Sequence, residues 1–472
     1  MNFSKDFIWG VATASYQIEG GIKEDGKQET VWDDFCNYSN KTMDGGNGDV
    51  ACDTFHRYKE DIGLIKNLGA QVYRFSSAMT RVLTYQSSYG TNPVKGTVNE
   101  KGLDYYERTV DECLAAGIKP WLTLYHWDLP LELERKGGFR NRDIMYWMQD
   151  YADLMTRRLG DRVKHFITHN EMPCILGGYN GWMAPGLQVN LRETLNIVHN
   201  MLLSHGTMTK AIRSNVKDAQ VGIAHCGPAL FPASESAEDM AAFNRCMESF
   251  EYCPETNSIG RGTGMFMADN LTYYCDAIYK GAYPEYAFET FKGKMPEILD
   301  GDMELISQPL DFHGQNIYTG RPVKAGSKPG ANDDGFHVEK SLPGCDMAAT
   351  KWPITPQSMD YFVNYIYSRY RKPIVITENG MSGADVVCLD GKVHDELRID
   401  FTTRYLEGLS RAIEKGADIR GYFHWSLLDN FEWARGYTER FGLVHVDYQT
   451  LKRTPKESYY WYRDLIKKFR NQ

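Results

Sequence analysis

Short apolar runs alternate with amphipathic stretches along the chain. Residues 7–16, 70–76, 119–125, 163–168, 220–224, 311–318, 373–378 and 419–425 are rich in β-branched and aromatic side chains and read as strands. Most are followed by a helical pattern. In 58–68, Ile62, Ile65 and Leu68 recur at a spacing of three, and 103–116 and 398–415 show comparable spacing. Gly117 and Gly416 stand where those helices should stop. Strand alternating with helix eight times predicts an α/β fold, a (β/α)8 barrel. A doubly wound open sheet is the alternative, but no G-x-G-x-x-G follows an early strand. Segments 20–48, 232–263 and 321–351 are too long for simple connections. Each follows a strand's C-terminal end, so each should wall the mouth of the barrel. No internal repeat or linker interrupts the pattern, which predicts a single barrel domain over 1–472.

The strand ends share a chemical habit. They bring Gln17 and Glu19, Arg74, His126 and Asp128, Asn170 and Glu171, Asn316 and Tyr318, Glu378, and then Trp425, Glu432 and Trp433. A parallel barrel places its chemistry at these ends. A single glutamate there is more often an inert strand terminus than a reagent. Two facing carboxylates, however, are the minimum equipment for cleaving a glycosidic bond. Sugar hydroxyls give and take hydrogen bonds, which suits Gln, Asn, His and Glu; sugar C–H faces stack on rings, which suits Trp.

Composition narrows the classes. The 472 residues are 42% hydrophobic and 24% charged, ordinary for a globular protein. No apolar stretch approaches the roughly 18 residues of a membrane span. A net charge of -9 argues against nucleic acid or an anionic membrane as partner. The apolar stretch 7–14 ends in an A-x-A pattern, but Asp6 interrupts its flank and cleavage after Ala14 would delete the first strand. Ten cysteines without a C-x-x-C read as free thiols in a reducing compartment, hence a cytoplasmic protein. His165 and His169 fall two side-chain periods apart on one face of a strand with no third ligand nearby. Packing is the better reading of them than metal binding.

Motifs in order along the chain resemble glycoside hydrolase family 1, the β-glucosidase family. They are Phe7-Ile-Trp-Gly-Val-Ala-Thr-Ala-Ser-Tyr-Gln17-Ile-Glu-Gly, Tyr125-His126-Trp-Asp-Leu-Pro, Thr168-His-Asn170-Glu171, Asn316-Ile-Tyr318, Ile376-Thr-Glu378-Asn-Gly and Trp425-Ser-Leu-Leu-Asp-Asn-Phe-Glu432-Trp433. The resemblance implies a retaining β-glycosidase with Glu171 as general acid/base and Glu378 as nucleophile. It implies that Arg74 and Tyr318 flank the nucleophile and that Asn170 meets the sugar 2-hydroxyl. Gln17, His126, Asn316, Trp425, Glu432 and Trp433 would line the sugar site. Phe441 would wall the 6-position, and Trp352 would form the platform on the leaving-group side. No metal or organic cofactor is implied, and the partner is a small β-glycoside or oligosaccharide.

The chain departs from the family pattern in two places. His169 and Met172 flank the Asn-Glu pair, and Met79 stands where a Trp is expected. These put in question the packing under the second strand and the tilt of Glu171, not the reaction type. Three rival readings are weaker. A 6-phospho-β-glycosidase would grip phosphate after the eighth strand, where Glu432 repels it. A thioglucosidase would carry Gln at 171. A non-catalytic sugar receptor would lack one of the two glutamates.

Overall fold

Parallel strands rich in Val, Ile, Phe and Tyr close on one another, because each has both faces covered and no sheet edge is left open. The computed structural model describes residues 1–39, 41–86, 95–227, 229–249, 252–253, 258–259, 270–326 and 335–471, with backbone alone at 252–253 and 258–259. Among them, eight strands form a closed barrel. They are β1 (Ile8–Ala12), β2 (Val72–Ser76), β3 (Lys119–Tyr125), β4 (His165–Asn170), β5 (Gln220–His225), β6 (Phe312–Asn316), β7 (Ile374–Asn379) and β8 (Ile419–Trp425). Each pairs in parallel with its sequence neighbours, and β1 closes the ring by pairing with both β2 and β8. The eightfold α/β expectation is met.

The main outer helices are α1 (Thr54–Leu68), α2 (Glu100–Ala115), α3 (Ile144–Leu159), α4 (Leu191–Asn215), α5 (Leu271–Lys280), α6 (Gln357–Tyr370), α7 (Glu396–Glu414) and α8 (Glu457–Arg470). Gly117 and Gly416 follow α2 and α7 at φ +77° and +97°, left-handed positions that suit glycine. Ile62, Ile65 and Leu68 are buried on the inner face of α1. An aromatic plug fills the barrel floor: Trp121 of β3 packs against Phe312 of β6 and Phe423 of β8, with centroids 5.0 Å away in each case.

Several expected boundaries shift. The first strand was expected to run to residue 16; it ends at Ala12, and a short helix, Ser15–Ile18, carries Gln17. The sixth strand ends at Asn316, two residues short of Tyr318. The three long segments are partly structured. Segment 20–48 holds the helix Val31–Asn37, started by a capping box between Thr30 and Asp33. Segment 232–263 holds the helix Ala237–Met247, and its residues 250–251, 254–257 and 260–263 and the Cys253 side chain lie outside the described residues. Segment 321–351 opens in the strand Gly320–Ala325, which pairs with Ala229–Pro232 and Phe336–Val338 in a side sheet. Residues 327–334 lie outside the described residues.

The histidine pair is corrected. His165 and His169 do not share a face. His165 stacks on Trp121 of the floor at 4.4 Å and 10°. The His169 imidazole sits 2.8 Å from Ser204 Oγ on the outer helix α4. The register of β4 against β5 shifts between Ile167 and Asn170, and such a bulge breaks the simple alternation.

Candidate active site

β2, β4, β6 and β7 and the turns that follow them bring six side chains into one network. Arg74, the middle residue of β2, is fully buried. Its guanidinium donates to Glu378, to Thr377 O at 3.2 Å, to Thr123 Oγ1 at 3.0 Å and to Asn170 Oδ1 at 2.6 Å. Asn316 Nδ2 donates to Asn170 Oδ1 at 3.1 Å and to Glu171 Oε1 at 2.7 Å. Tyr318 donates its hydroxyl to the other Glu378 oxygen at 2.6 Å. Glu171 and Glu378 are thus joined through Arg74, Asn170 and Asn316.

One donor-only group orders the rest. Arg74 can only donate, so the Asn170 atom facing it is the oxygen. The Asn170 amide nitrogen therefore points to His126 Nε2, 3.0 Å away, and that ring nitrogen accepts. His126 then carries its hydrogen on Nδ1, which has no partner among the described residues. Burial, and then the charge of Arg74, push His126 well below the usual imidazole range, so it is neutral.

The two carboxyls differ in their surroundings. Burial pushes both up. Glu378 rises to about 7, driven by burial and by the nearby charge of Glu171; Arg74 and the Tyr318 hydrogen bond act against the rise. Glu171 has no cation in contact; the Asn316 amide and the Cys174 thiol favour its charged form before the more distant Arg74 does. Near neutral pH the pair holds a proton more cheaply than two charges. The guanidinium contact favours the charged form of Glu378 over that of Glu171.

Backbone geometry aims the groups. Glu171 is left-handed at φ +49°, as are Trp127 at +74° and Trp433 at +52°. For side chains with a Cβ this costs about 1–3 kcal/mol each and persists where the surroundings enforce it. The Glu171 N–H donates to Ala224 O on β5 at 2.7 Å, which pins the turn. The short helix Met172–Gly178 leaves from it. Met79 and Met172, the departures from the family pattern, are both buried in the core.

The remaining expected residues fall into two aromatic groups. His126 stacks on Trp425 and on Trp433, with ring centroids 5.9 Å apart in both cases. Gln17 is buried beside them and donates to Phe431 O at 2.7 Å and Asn430 Oδ1 at 3.1 Å, which leaves its Oε1 without a partner among the described residues. Tyr318, Phe441 and Trp352 make the second group, with centroids 5.7–6.2 Å apart. Arg435 lies over the Trp352 ring at 5.9 Å. Glu432 is half-buried at the rim; burial pushes its carboxyl up, Arg435 opposes this, and Glu439, Glu378 and Glu171 add to it. Of the other strand-end residues, Glu19 is bound instead to Arg81 and Tyr106. Asp128 is buried and accepts from Ser15 at 2.8 Å.

Sequence reasoning passed over five contributors. Trp127 Nε1 donates to Asn170 O at 2.9 Å, and Thr377 Oγ1 to Asn316 Oδ1 at 2.6 Å. Thr123 anchors Arg74. Trp127 and Thr377 adjoin motif residues, and strand alternation at β3 and β7 could have drawn attention to the threonines. Cys174 and Cys226, the other two, place their sulfurs 3.5 Å apart beside Glu171; nothing in their spacing signals this.

A family description of glycosyl hydrolase family 1 matches residues 1–471. A 1,4-beta-D-glucan glucohydrolase of Thermotoga neapolitana is 41% identical over 468 residues, 98% of each chain. Beta-glucosidase A of Acetivibrio thermocellus is 42% identical over 473 residues, covering 99% of this chain and 98% of that one. The solved structure of a beta-glucosidase from Thermotoga maritima in complex with deoxynojirimycin superposes with a TM-score of 0.85 at 39% identity, covering 98% of both chains. With two carboxyls bridged at the mouth of a closed parallel barrel and full-length similarity on this scale, the chain is a glycoside hydrolase and belongs to glycosyl hydrolase family 1.

Proposed function

We propose that this chain, as one catalytic barrel domain, is a retaining β-glucosidase. It releases terminal non-reducing β-D-glucosyl residues from cello-oligosaccharides or from aryl and alkyl glucosides. The observation that carries the reading is the asymmetric bridge: Arg74 and Tyr318 grip Glu378, while Glu171 meets a neutral amide from Asn316. Ionised Glu378 attacks the anomeric carbon, and Glu171 protonates the departing oxygen. A glycosyl ester on Glu378 results. Its formation removes the charge at 378, so the pKa of Glu171 falls and it serves as base toward water in the second step. Two inversions leave the β configuration retained. Retaining enzymes hold their carboxyls about 5–5.5 Å apart.

Asn170, aimed by Arg74, meets the 2-hydroxyl, where contacts strengthen in the transition state. His126 Nδ1–H, Gln17 Oε1 and Glu432 take other hydroxyls; Trp425 and Trp433 bound that sugar. Phe441 walls the 6-position, and Trp352 supports the leaving group. The cysteine usage supports a reducing compartment, and we place the protein in the cytoplasm. No described helix is long and apolar enough to cross a membrane.

The test is hydrolysis of an aryl β-glucoside followed by NMR of the first-formed sugar. β-Glucose appearing first supports double displacement; α-glucose appearing first refutes it. Glu378→Ala should abolish turnover, with partial activity restored by azide, which supplies a small nucleophile from the opposite face. Parallel assay of a 6-phosphoglucoside should give no more than a trace, because Glu432 offers phosphate no positive charge and, where ionised, repels it.

A further inference from the structure

The end of β4 and the end of β5 meet at three donor atoms. Cys174 lies in the short helix after Glu171, and Cys226 directly follows β5. Their sulfurs are 3.5 Å apart, and both lie, with a Glu171 carboxylate oxygen, within 4.8 Å of one another. A disulfide would require these sulfurs to close to about 2.05 Å. A tetrahedral zinc ion with Zn–S of about 2.3 Å spans two sulfurs about 3.8 Å apart, and a sulfur and a carboxylate oxygen about 3.5 Å apart. At the observed separation the two thiols share a hydrogen bond; it is too long for a disulfide and close to the edge of such a polyhedron. Two soft sulfurs and one carboxylate also form a donor set that selects thiophilic metals over magnesium or calcium. Cys174 is only half-buried.

We propose that Cys174, Cys226 and Glu171 form a binding site for a thiophilic divalent cation such as Zn2+, with water as fourth ligand, and that occupancy shuts the enzyme off. On binding, each thiol releases its proton to solvent and ligates as thiolate. Glu171 likewise releases its proton to solvent, ligates as carboxylate and then holds none for the leaving group. Binding stands apart from the assignment of Glu171 as acid; the inhibition rests on it. The second cluster among the described residues, His394, Glu396 and Glu457, is at the surface and holds no sulfur.

The experiment is anaerobic titration of the pre-reduced, full-length protein with Co2+ and then Zn2+. Co2+ should produce a near-ultraviolet sulfur-to-cobalt charge-transfer band that saturates at one ion per chain and is erased by Zn2+. Oxygen and nitrogen ligands at the surface cluster cannot give that band. Zn2+ should inhibit aryl-glucoside hydrolysis reversibly, and EDTA should restore it. The C174S/C226S protein should lose the band and need at least 100-fold more Zn2+ for half-inhibition. Failure of wild-type protein to give the band overturns the site, whether or not the variant folds. Persistence of the band in the variant overturns the ligand assignment. A band without inhibition overturns the coupling to Glu171 and leaves the hydrolase reading to be judged by product stereochemistry.

Discussion

A single hydrogen-bond donor sets the protonation of the whole site. Arg74 fixes the Asn170 amide, the amide fixes the His126 tautomer, and the same guanidinium draws negative charge to Glu378. Tyr318 adds the second hold on Glu378. Tyr318→Phe removes a donor that lowers the Glu378 pKa, so that pKa rises. The proposed mechanism needs ionised Glu378, so the acidic limb of the kcat/KM profile should move to higher pH. A charge-assisted bond of about 1.5–3 kcal/mol corresponds to about 1–2 pH units. An acidic limb unmoved in the variant would remove Glu378 from that role. Glu171→Ala should spare substrates with very good leaving groups far more than poor ones, since they need little protonation. Equal losses on both would end its assignment as acid. The glutamates, Arg74 and Asn170 were readable because strand-end position and motif point to the same residues. The Asn170–His126 link was not, because it depends on which way an amide faces.

At the scale of elements, the informative departures are irregularities at strand ends. β4 slips against β5, β6 slips against β7 at Asn316, and β7 slips against β8 between Ile376 and Asn379. Each slip lies beside a residue of the site and re-aims it into the mouth. Strict period-two reading predicts none of them, which is why His165 and His169 looked like one face. The loop after β8 has its own foundation. Lys456, just before α8, donates to Asp429 at 2.7 Å and Asp385 at 2.5 Å, while Arg440 holds the other Asp429 oxygen at 2.7 Å. This network anchors the segment that carries Glu432 and Trp433. Lys456→Met leaves two buried carboxylates short of a cation and should destabilise the fold by about 3–5 kcal/mol. It should also raise KM, because the sugar-binding rim loosens. Urea unfolding and steady-state kinetics check both; an unchanged midpoint would mean the network contributes nothing to the fold.

For the whole molecule, closure is the decisive event. β1 pairs on one side with β2 and on the other with β8, so the first residues of the chain complete a ring finished more than 400 residues later. Removing residues 1–14 would open two strand edges at once. The truncated chain should be insoluble or lack activity, and a soluble, active product would show that closure is dispensable. The sequence by itself determined the strand–helix alternation, the barrel and the set of polar strand ends, because side-chain periodicity and motif order are local properties of the chain. Only the tertiary structure decided which strand ends converge, that Glu19 serves Arg81 rather than the site, and that two cysteines 52 positions apart stand beside Glu171. Those facts depend on how the ring closes and where its register slips, and no local window of sequence contains both partners.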